Sequence, residues 1–344
     1  MHAWPRIAAV ELALPGHVYS QEQIIDELQR FGGPVFARFA RTSGVKTRHL
    51  ALPLERYGGL SGFTEANDTF IKVALELGEQ AILRACAAAG IDPEQIDLIA
   101  STTVTGLAVP SLDARLADRL GLKPDVKRLP LFGLGCVAGA AGVARLHDYL
   151  RAYPDQVAVL LAVELCSLTV QRDDRAAANL VASSLFGDGA AAVVMTGGAF
   201  ADDGPQVLAS RSRLYPDTRD VMGWDIGSDG FRIVLSTDVA PIAERFLGED
   251  VQTFLKDERV EQVAAWICHP GGPKVIEAIE RGLNLPPRAL DRTRESLRDR
   301  GNLSSASVLD VLGATMREPP AAGEYGLMMA MGPGFCSELV LLRW

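Results

Sequence analysis

Cys136 lies inside LFGLGCVAGAAG (residues 131–142), and two kinds of chemistry compete for that stretch. Gly133, Gly135 and Ala138 fit the G-x-G-x-x-G/A turn that cradles a dinucleotide pyrophosphate. Such a turn should follow the first strand of a βαβ unit, with an acidic residue about 20 positions on, at the end of the next strand. Here the turn comes late in the chain, and Asp155 stands before an apolar strand rather than at its end. The other reading makes Cys136 a nucleophile. If CVAGAAGVARLHDYLRA is a helix, the sulfur sits in its first turn, where the dipole and free N–H groups favour the thiolate. Ala138, Gly139, Ala140, Ala141 and Gly142 would let that helix sink into the core and hold the sulfur at the base of a pocket. Taken alone, the segment fits a packing helix with an inert buried cysteine equally well.

Two more residues could serve such a thiol. AAWICHPGGPKV puts His269 at the end of an apolar strand, and strand ends in α/β sheets are where ligands bind. RDRGNLSSASVLDVL puts Asn302 after a glycine and before a helix capped by serines. Singly, a strand-end histidine is usually structural and an asparagine at a helix start is usually a cap. Cysteine, histidine and asparagine in this order also occur in papain-type proteases, whose nucleophile is expected near the mature N-terminus beside an aromatic. Cys136 meets neither condition.

The elements that must position these groups alternate. MHAWPRIAAVELALPGHVYS reads as a first strand and its exit turn. QEQIIDELQRFGGPVFARFA (21–40) reads as a helix interrupted at Gly-Gly-Pro, and residues 68–90 as a helix with Gly90 as its C-cap. IDPEQIDLIASTTV is a turn and a buried strand, followed by the helix SLDARLADRLGL with a serine N-cap. The apolar runs DQVAVLLAVEL (155–165) and AAAVVMTGG (190–198) have the length and character of strands that parallel sheets bury on both faces. VEQVAAWICHPGGPKVIEAIERGL (260–283) repeats strand, turn and helix, and the chain finishes on two strands joined by Gly-Pro-Gly. An α/β architecture follows, in two related halves meeting near 198–206.

The chain's 344 residues can bury a large core, and 48% hydrophobic with 22% charged residues is the composition of a folded globular protein. A net charge of −9 lacks the basic excess of a general nucleic-acid binder, so no nucleic-acid partner is expected. No apolar run spans a bilayer and no signal-like segment opens the chain, so no membrane is expected and the cytoplasm is the expected location. Five scattered cysteines (86, 136, 166, 268 and 336) suit reduced thiols. With no C-x-x-C pair and no histidine cluster, no metal site is expected.

GLGCVAGAAG, LFGDGAAAVV, WICHPGGPKVIEAI, GNLSSASVL and MGPGF together resemble, in order and spacing, the type III polyketide synthases, the chalcone-synthase-like family of the thiolase superfamily. The resemblance runs over roughly residues 5–344. It implies the duplicated thiolase fold, five-layered α-β-α-β-α, with halves at 1–203 and 204–344. It also implies a homodimer and a Cys136–His269–Asn302 triad. Such enzymes load an acyl group on the cysteine, decarboxylate malonyl-CoA and join the two. A thiolate is both nucleophile and leaving group, and histidine and asparagine donors can hold the developing oxyanion. The substrates implied are acyl-CoA and malonyl-CoA, with an acyl carrier protein as an alternative starter donor and no cofactor.

By the same resemblance Phe186 and Ile233 are gatekeepers between tunnel and cavity. Plant members carry phenylalanine at the second position, so Ile233 implies an aliphatic starter. Thr105, Cys166, Thr169, Trp224 and Ser304 fall at cavity-lining positions, and Gly332, Pro333 and Gly334 at the cavity floor. Lys46, Arg48 and Gly271 correspond to CoA-binding positions, although Thr42 stands where the family often has a cation. Val109 matches a residue that reaches across the dimer interface. Aliphatic gatekeeping and MGWD resemble alkylpyrone or alkylresorcinol synthases. A tetrahydroxynaphthalene synthase using malonyl-CoA alone is the alternative. Ketoacyl-ACP synthase III shares the fold and triad types, but Pro-Gly-Gly after His269 departs from its pattern.

Overall fold

The computed structural model describes residues 4–200 and 203–344, apart from the side chains of residues 29–31. The expected meeting point of the halves therefore includes two positions, 201 and 202, outside the described residues. In chain order the first half runs β1 (Arg6–Ala13), β2 (His17–Ser20), α1 (Gln21–Thr42), β3 (Thr47–Leu50), α2 (Gly62–Ala89), β4 (Ile96–Thr103), α3 (Leu112–Leu120) and β5 (Lys127–Phe132). It continues with α4 (Ala138–Ala152), β6 (Val157–Leu165), α5 (Ala177–Leu185) and β7 (Asp188–Thr196). The second half runs β8 (Gln206–Leu214), β9 (Met222–Gly227), β10 (Gly230–Leu235), α6 (Val239–Asp257), β11 (Ala265–Cys268) and α7 (Pro273–Leu283). It closes with α8 (Asp291–Arg300), α9 (Ser307–Arg317), β12 (Tyr325–Gly332) and β13 (Cys336–Arg343).

Nine strands form one mixed sheet in the order β11-β12-β13-β8-β1-β7-β6-β4-β5. β1 and β8 touch through a single pair, Arg6 with Gln206. The two wings therefore meet at a narrow seam and pack as separate layers.

Side-chain alternation along the strands shows the layering. In β6, Val157, Val159, Leu161 and Val163 join a core with α1, α2 and α3, while Ala158, Leu160 and Ala162 join a second core with α4 and α9. In β13, Val340 and Leu342 enter that same second core, and Leu339 and Leu341 enter a third with α6 and α7. The helices α4 and α9 are thus sandwiched between the wings, and the five layers run helix, sheet, helix, sheet, helix. Each fully buried aliphatic side chain contributes about 1.5–3 kcal/mol of transfer free energy.

The central helix can lie there because it is small. A Cβ on Gly139 would stand 2.3 Å from the Ser305 carbonyl, and one on Gly142 would stand 2.5 Å from Leu160. The glycine-alanine run of the sequence has this close approach as its physical cause. Gly90 ends α2 with φ 66°, the left-handed cap expected of it, although the helix begins earlier than residue 68. Gly33 interrupts α1 with φ 61° just before Pro34. Ser111 occupies the N-cap of α3 without making the side-chain bond.

The expectation of a parallel sheet needs correction. β6 is parallel to β4 but antiparallel to β7. A continuous apolar run reports burial on both faces, and burial does not set strand direction.

Candidate active site

Cys136 stands in a 3-10 turn, Gly135–Val137, between β5 and α4. Gly135 adopts φ 55°, and a Cβ there would meet Pro333 at 2.7 Å, so only glycine lets the turn press against the hairpin that joins β12 to β13. On the other side the turn packs against a second 3-10 turn, Ser304–Ala306, at the start of α9. The Cys136 thiol donates to Ser304 Oγ at 3.7 Å. The Ser304 amide in turn donates to Asn302 Oδ1 at 2.8 Å. One residue thus links the sulfur and the carboxamide.

Asn302 is pinned to the Phe186 segment from both sides. Its amide donates to the Leu185 carbonyl at 2.8 Å, and its own carbonyl accepts from Gly187 at 3.0 Å. Gly187 must be glycine, because a Cβ there would stand 2.3 Å from the Arg300 carbonyl. Phe186 and Asn302 consequently share one parallel β-bridge.

His269 follows β11 directly, and its amide donates to Met329 of the parallel neighbour β12 at 3.0 Å. Three residues further along, Gly332 packs on the Cys136 turn: a Cβ there would stand 2.6 Å from the Leu134 carbonyl and 2.8 Å from the Val137 amide nitrogen. His269 therefore lies at the end of the sheet where the thiol lies. Its ring is buried, and neither ring nitrogen has a hydrogen-bond partner. No hydrogen bond joins it to Cys136 or Asn302.

Burial governs the electrostatics. It pushes the Cys136 thiol up to about 12, despite the bond to Ser304, and the charge of Glu164 adds to the rise. This corrects the expectation that a helix N-terminus depresses the thiol: the 3-10 turn is enclosed, and desolvation of the thiolate outweighs the dipole. Burial likewise pulls His269 down to about 3. Each charge is unfavourable by itself, so a proton moving from sulfur to imidazole must create both together.

A cavity of about 570 Å³ opens beside the sulfur. Of the positions marked in the sequence, Thr105, Cys136, Cys166, Thr169, Phe186, Trp224, Ile233, Ser304 and Pro333 line it, as does Arg48. Gly332 and Gly334 do not; their role is the close approach of the hairpin to the Cys136 turn and to Leu214. His269 borders a separate small void with Leu247, Ile279 and Met329–Met331. Among the CoA positions, Lys46 is exposed and Gly271 half-buried. Arg48 is 3% exposed, and its Nη1 donates to the carbonyls of Ser183 and Phe186 at 2.7 and 2.9 Å. Its Nη1 is thus held by the segment that carries Phe186, while its Nε and Nη2 are buried without a hydrogen-bond partner among the described residues. Val109 is 95% exposed and lies outside the cavity.

Among the buried carboxylates, Glu164 and Asp188 bond to residues that line the cavity, and both escaped notice in the sequence. Glu164 accepts from the Val104 amide (3.1 Å), Thr105 Oγ1 (2.9 Å), Ser305 Oγ (2.6 Å) and Ser304 Oγ (3.3 Å). Burial still raises its pKa. Asp188 accepts from the Ala51 amide (2.6 Å), the Ser167 amide (2.8 Å) and the Ser167 hydroxyl. It is pushed up to about 6 by burial, with Arg48 pulling the other way. The available signal was a lone acid inside or beside an apolar strand, which must be partnered. The cavity wall also includes Tyr57, Leu54, Phe63 and Phe231, none of them marked beforehand.

Models of the chalcone and stilbene synthases match both halves, the N-terminal domain over residues 5–199 and the C-terminal domain over 206–344. The chain is 51% identical to a 1,3,6,8-tetrahydroxynaphthalene synthase of Streptomyces peucetius subsp. caesius, over 98% of this chain and 93% of that protein. It is 35% identical to a putative chalcone synthase of Bacillus subtilis strain 168, over 87% and 86% respectively. Among solved structures, the tetrahydroxynaphthalene synthase of Streptomyces coelicolor A3(2), a bacterial type III polyketide synthase, matches with TM-score 0.94 at 30% identity, covering 98% of this chain and 99% of that one.

Proposed function

The chain belongs to the chalcone and stilbene synthase family, the type III polyketide synthases, and from that premise we propose that it uses malonyl-CoA as both starter and extender to build 1,3,6,8-tetrahydroxynaphthalene. The observation that carries this choice is the 51% identity to a synthase of that product across nearly the whole chain. Its naphthalene skeleton divides entirely into two-carbon units, so malonyl-CoA alone could supply every carbon. The family match favours this reading over a ketoacyl-ACP synthase III.

In this reading Cys136 attacks a thioester carbonyl, CoA departs as the thiol, and the acyl group rests on sulfur. His269 takes the thiol proton as the bond forms. A second malonyl-CoA loses carbon dioxide, and the charge left on its thioester oxygen is held by donors from His269 and the Asn302 amide. The resulting carbon nucleophile attacks the acyl-sulfur carbonyl, a carbon–carbon bond forms, and the Cys136 thiolate leaves for another cycle. The substrates are CoA thioesters and no cofactor takes part. Lys46 is the exposed cation for the CoA phosphates. The working unit is a homodimer, with Val109 covered by the second copy.

One observation favours a second reading. Ile24, Leu28, Leu50, Leu54, Leu60 and Ile233 give part of the wall an aliphatic character. That surface suits an alkyl starter, and with it an alkylpyrone or alkylresorcinol product. Incubating the protein with malonyl-CoA alone, then with acyl-CoAs of graded length, separates the two by product mass. A naphthalene product from malonyl-CoA alone supports the first reading. No product until a long acyl-CoA is added refutes it.

A further inference from the structure

The β9–β10 hairpin is not part of the nine-stranded sheet; its two strands pair only with each other. Yet Met222, Gly223, Trp224, residues 228–233 and Leu235 all line the cavity. A wall built on a two-stranded ribbon is only marginally stable unless something outside holds it.

Two devices do so. Gln171 Nε2 donates to the Asp229 carbonyl at 3.0 Å and the Phe231 carbonyl at 3.1 Å, across the hairpin turn. Gln171 is itself fixed, because the Asn179 amide donates to the Gln171 and Asp174 carbonyls at 2.7 Å each. The second device is aromatic. Phe231 meets Phe63, at the start of α2, edge-on at 5.6 Å and Trp224 edge-on at 5.7 Å. Gly230, with φ 98°, lets the turn approach: a Cβ there would stand 3.1 Å from the Phe63 ring. Such edge-to-face pairs add to the burial of the rings.

We infer that Gln171 is a positioning residue that latches the β9–β10 hairpin over the cavity, and that Phe63, through its contact with Phe231, helps set the chain length the cavity accepts. The inference rests on the polyketide synthase reading for its chain-length half; the latch itself does not. Gln171 presents one amide group to two carbonyls, which only a donor can satisfy. Glutamate has the same length and shape but carries no donor when ionised. It separates hydrogen bonding from packing.

The test uses full-length Gln171→Glu, Gln171→Ala and Phe63→Ala beside the wild type. Amide exchange across residues 222–235 is followed by mass spectrometry, and products from malonyl-CoA with graded acyl-CoAs are identified by mass. Both Gln171 variants should exchange in the hairpin about tenfold faster, as loss of two neutral hydrogen bonds implies. Their product distribution should broaden toward longer chains. Phe63→Ala should move the starter optimum to longer acyl groups. Wild-type exchange in Gln171→Glu overturns the latch. Faster exchange with unchanged products overturns the chain-length role. A wild-type protein that makes no polyketide from any CoA thioester sinks the functional reading and the chain-length role with it, while exchange still decides the latch. Should Phe63→Ala fail to fold, the Gln171 pair answers by itself.

Discussion

Replacing His269 with glutamine isolates the Cys136 thiol, and the structure sets the size of the effect. Burial raises that thiol from an ordinary 9.0 to about 12. That rise corresponds to about 4 kcal/mol against the thiolate. Glu164 makes matters worse, since its charge has the same sign. Only an imidazole that accepts the proton can offset this. An imidazolium brought within about 4 Å of the sulfur, at an effective dielectric of about 20, would return about 4 kcal/mol, or close to three decades in thiolate population.

The assay is alkylation of Cys136 by iodoacetamide, read by peptide mass so that the half-buried Cys336 is counted separately. The His269→Gln rate should fall about a thousandfold at neutral pH. It should then climb tenfold per pH unit through pH 9 without a plateau, as for a thiol titrating near 12. A variant that alkylates at the wild-type rate with the wild-type pH profile would refute His269 as the proton partner.

Asn302→Ala should cripple malonyl-CoA decarboxylation far more than acyl loading on Cys136; equal loss of both, measured with radiolabelled thioesters, contradicts the oxyanion role. Ile233→Phe should shift starter use toward shorter acyl groups, and an unchanged chain-length profile removes Ile233 as gatekeeper. Asp188 titrates at about 6 in the fold and about 3.9 unfolded, so the folded state holds the proton more tightly. Its stability is therefore greatest below pH 4 and falls by about 3 kcal/mol as pH rises through 6. Asp188→Asn should abolish that slope in urea titrations while costing about 3–5 kcal/mol at pH 7, because Arg48 loses its buried counter-charge. A variant that keeps the slope assigns it to another group.

Much of the frame was readable because its signals are local. The Gly-Ala run around Cys136, the apolar strands at 155–165 and 190–198, and the Gly90 cap each depend on neighbours close in sequence. Strand direction in the sheet was not readable, since a strand buried on both faces looks the same whichever way its partner runs. The site divided along similar lines. Cys136, Phe186, Ile233 and Ser304 line one cavity, and each could be singled out in the sequence because a motif carries position as well as residue type. Phe63, Tyr57 and Gln171 were invisible: an aromatic on a helix, a tyrosine in a short 3-10 turn and an exposed-looking glutamine have no motif, and only the fold brings them to the wall. The depressed thiol was misjudged because helix dipoles can be inferred from sequence and enclosure cannot.

That enclosure bears on the chemistry. Around Cys136 the fold disfavours every localised charge in turn: the thiol is raised, the imidazole lowered, and Glu164 raised even with several hydrogen bonds to its oxygens. Those bonds occupy the hydroxyls of Thr105, Ser304 and Ser305, so the acid fixes the wall's donors in place. Both nitrogens of the buried His269 ring lack a hydrogen-bond partner. A carboxylate entering such a space is penalised as Glu164 is, whereas neutral carbon dioxide is not. In the proposed mechanism the negative charge left behind spreads onto a thioester oxygen held by the neutral N–H donors of His269 and Asn302. A wall of fixed, neutral dipoles therefore favours decarboxylation over storage of the malonyl group. Introducing a permanent cation beside His269 should slow the reaction by stabilising the carboxylate that has to be lost.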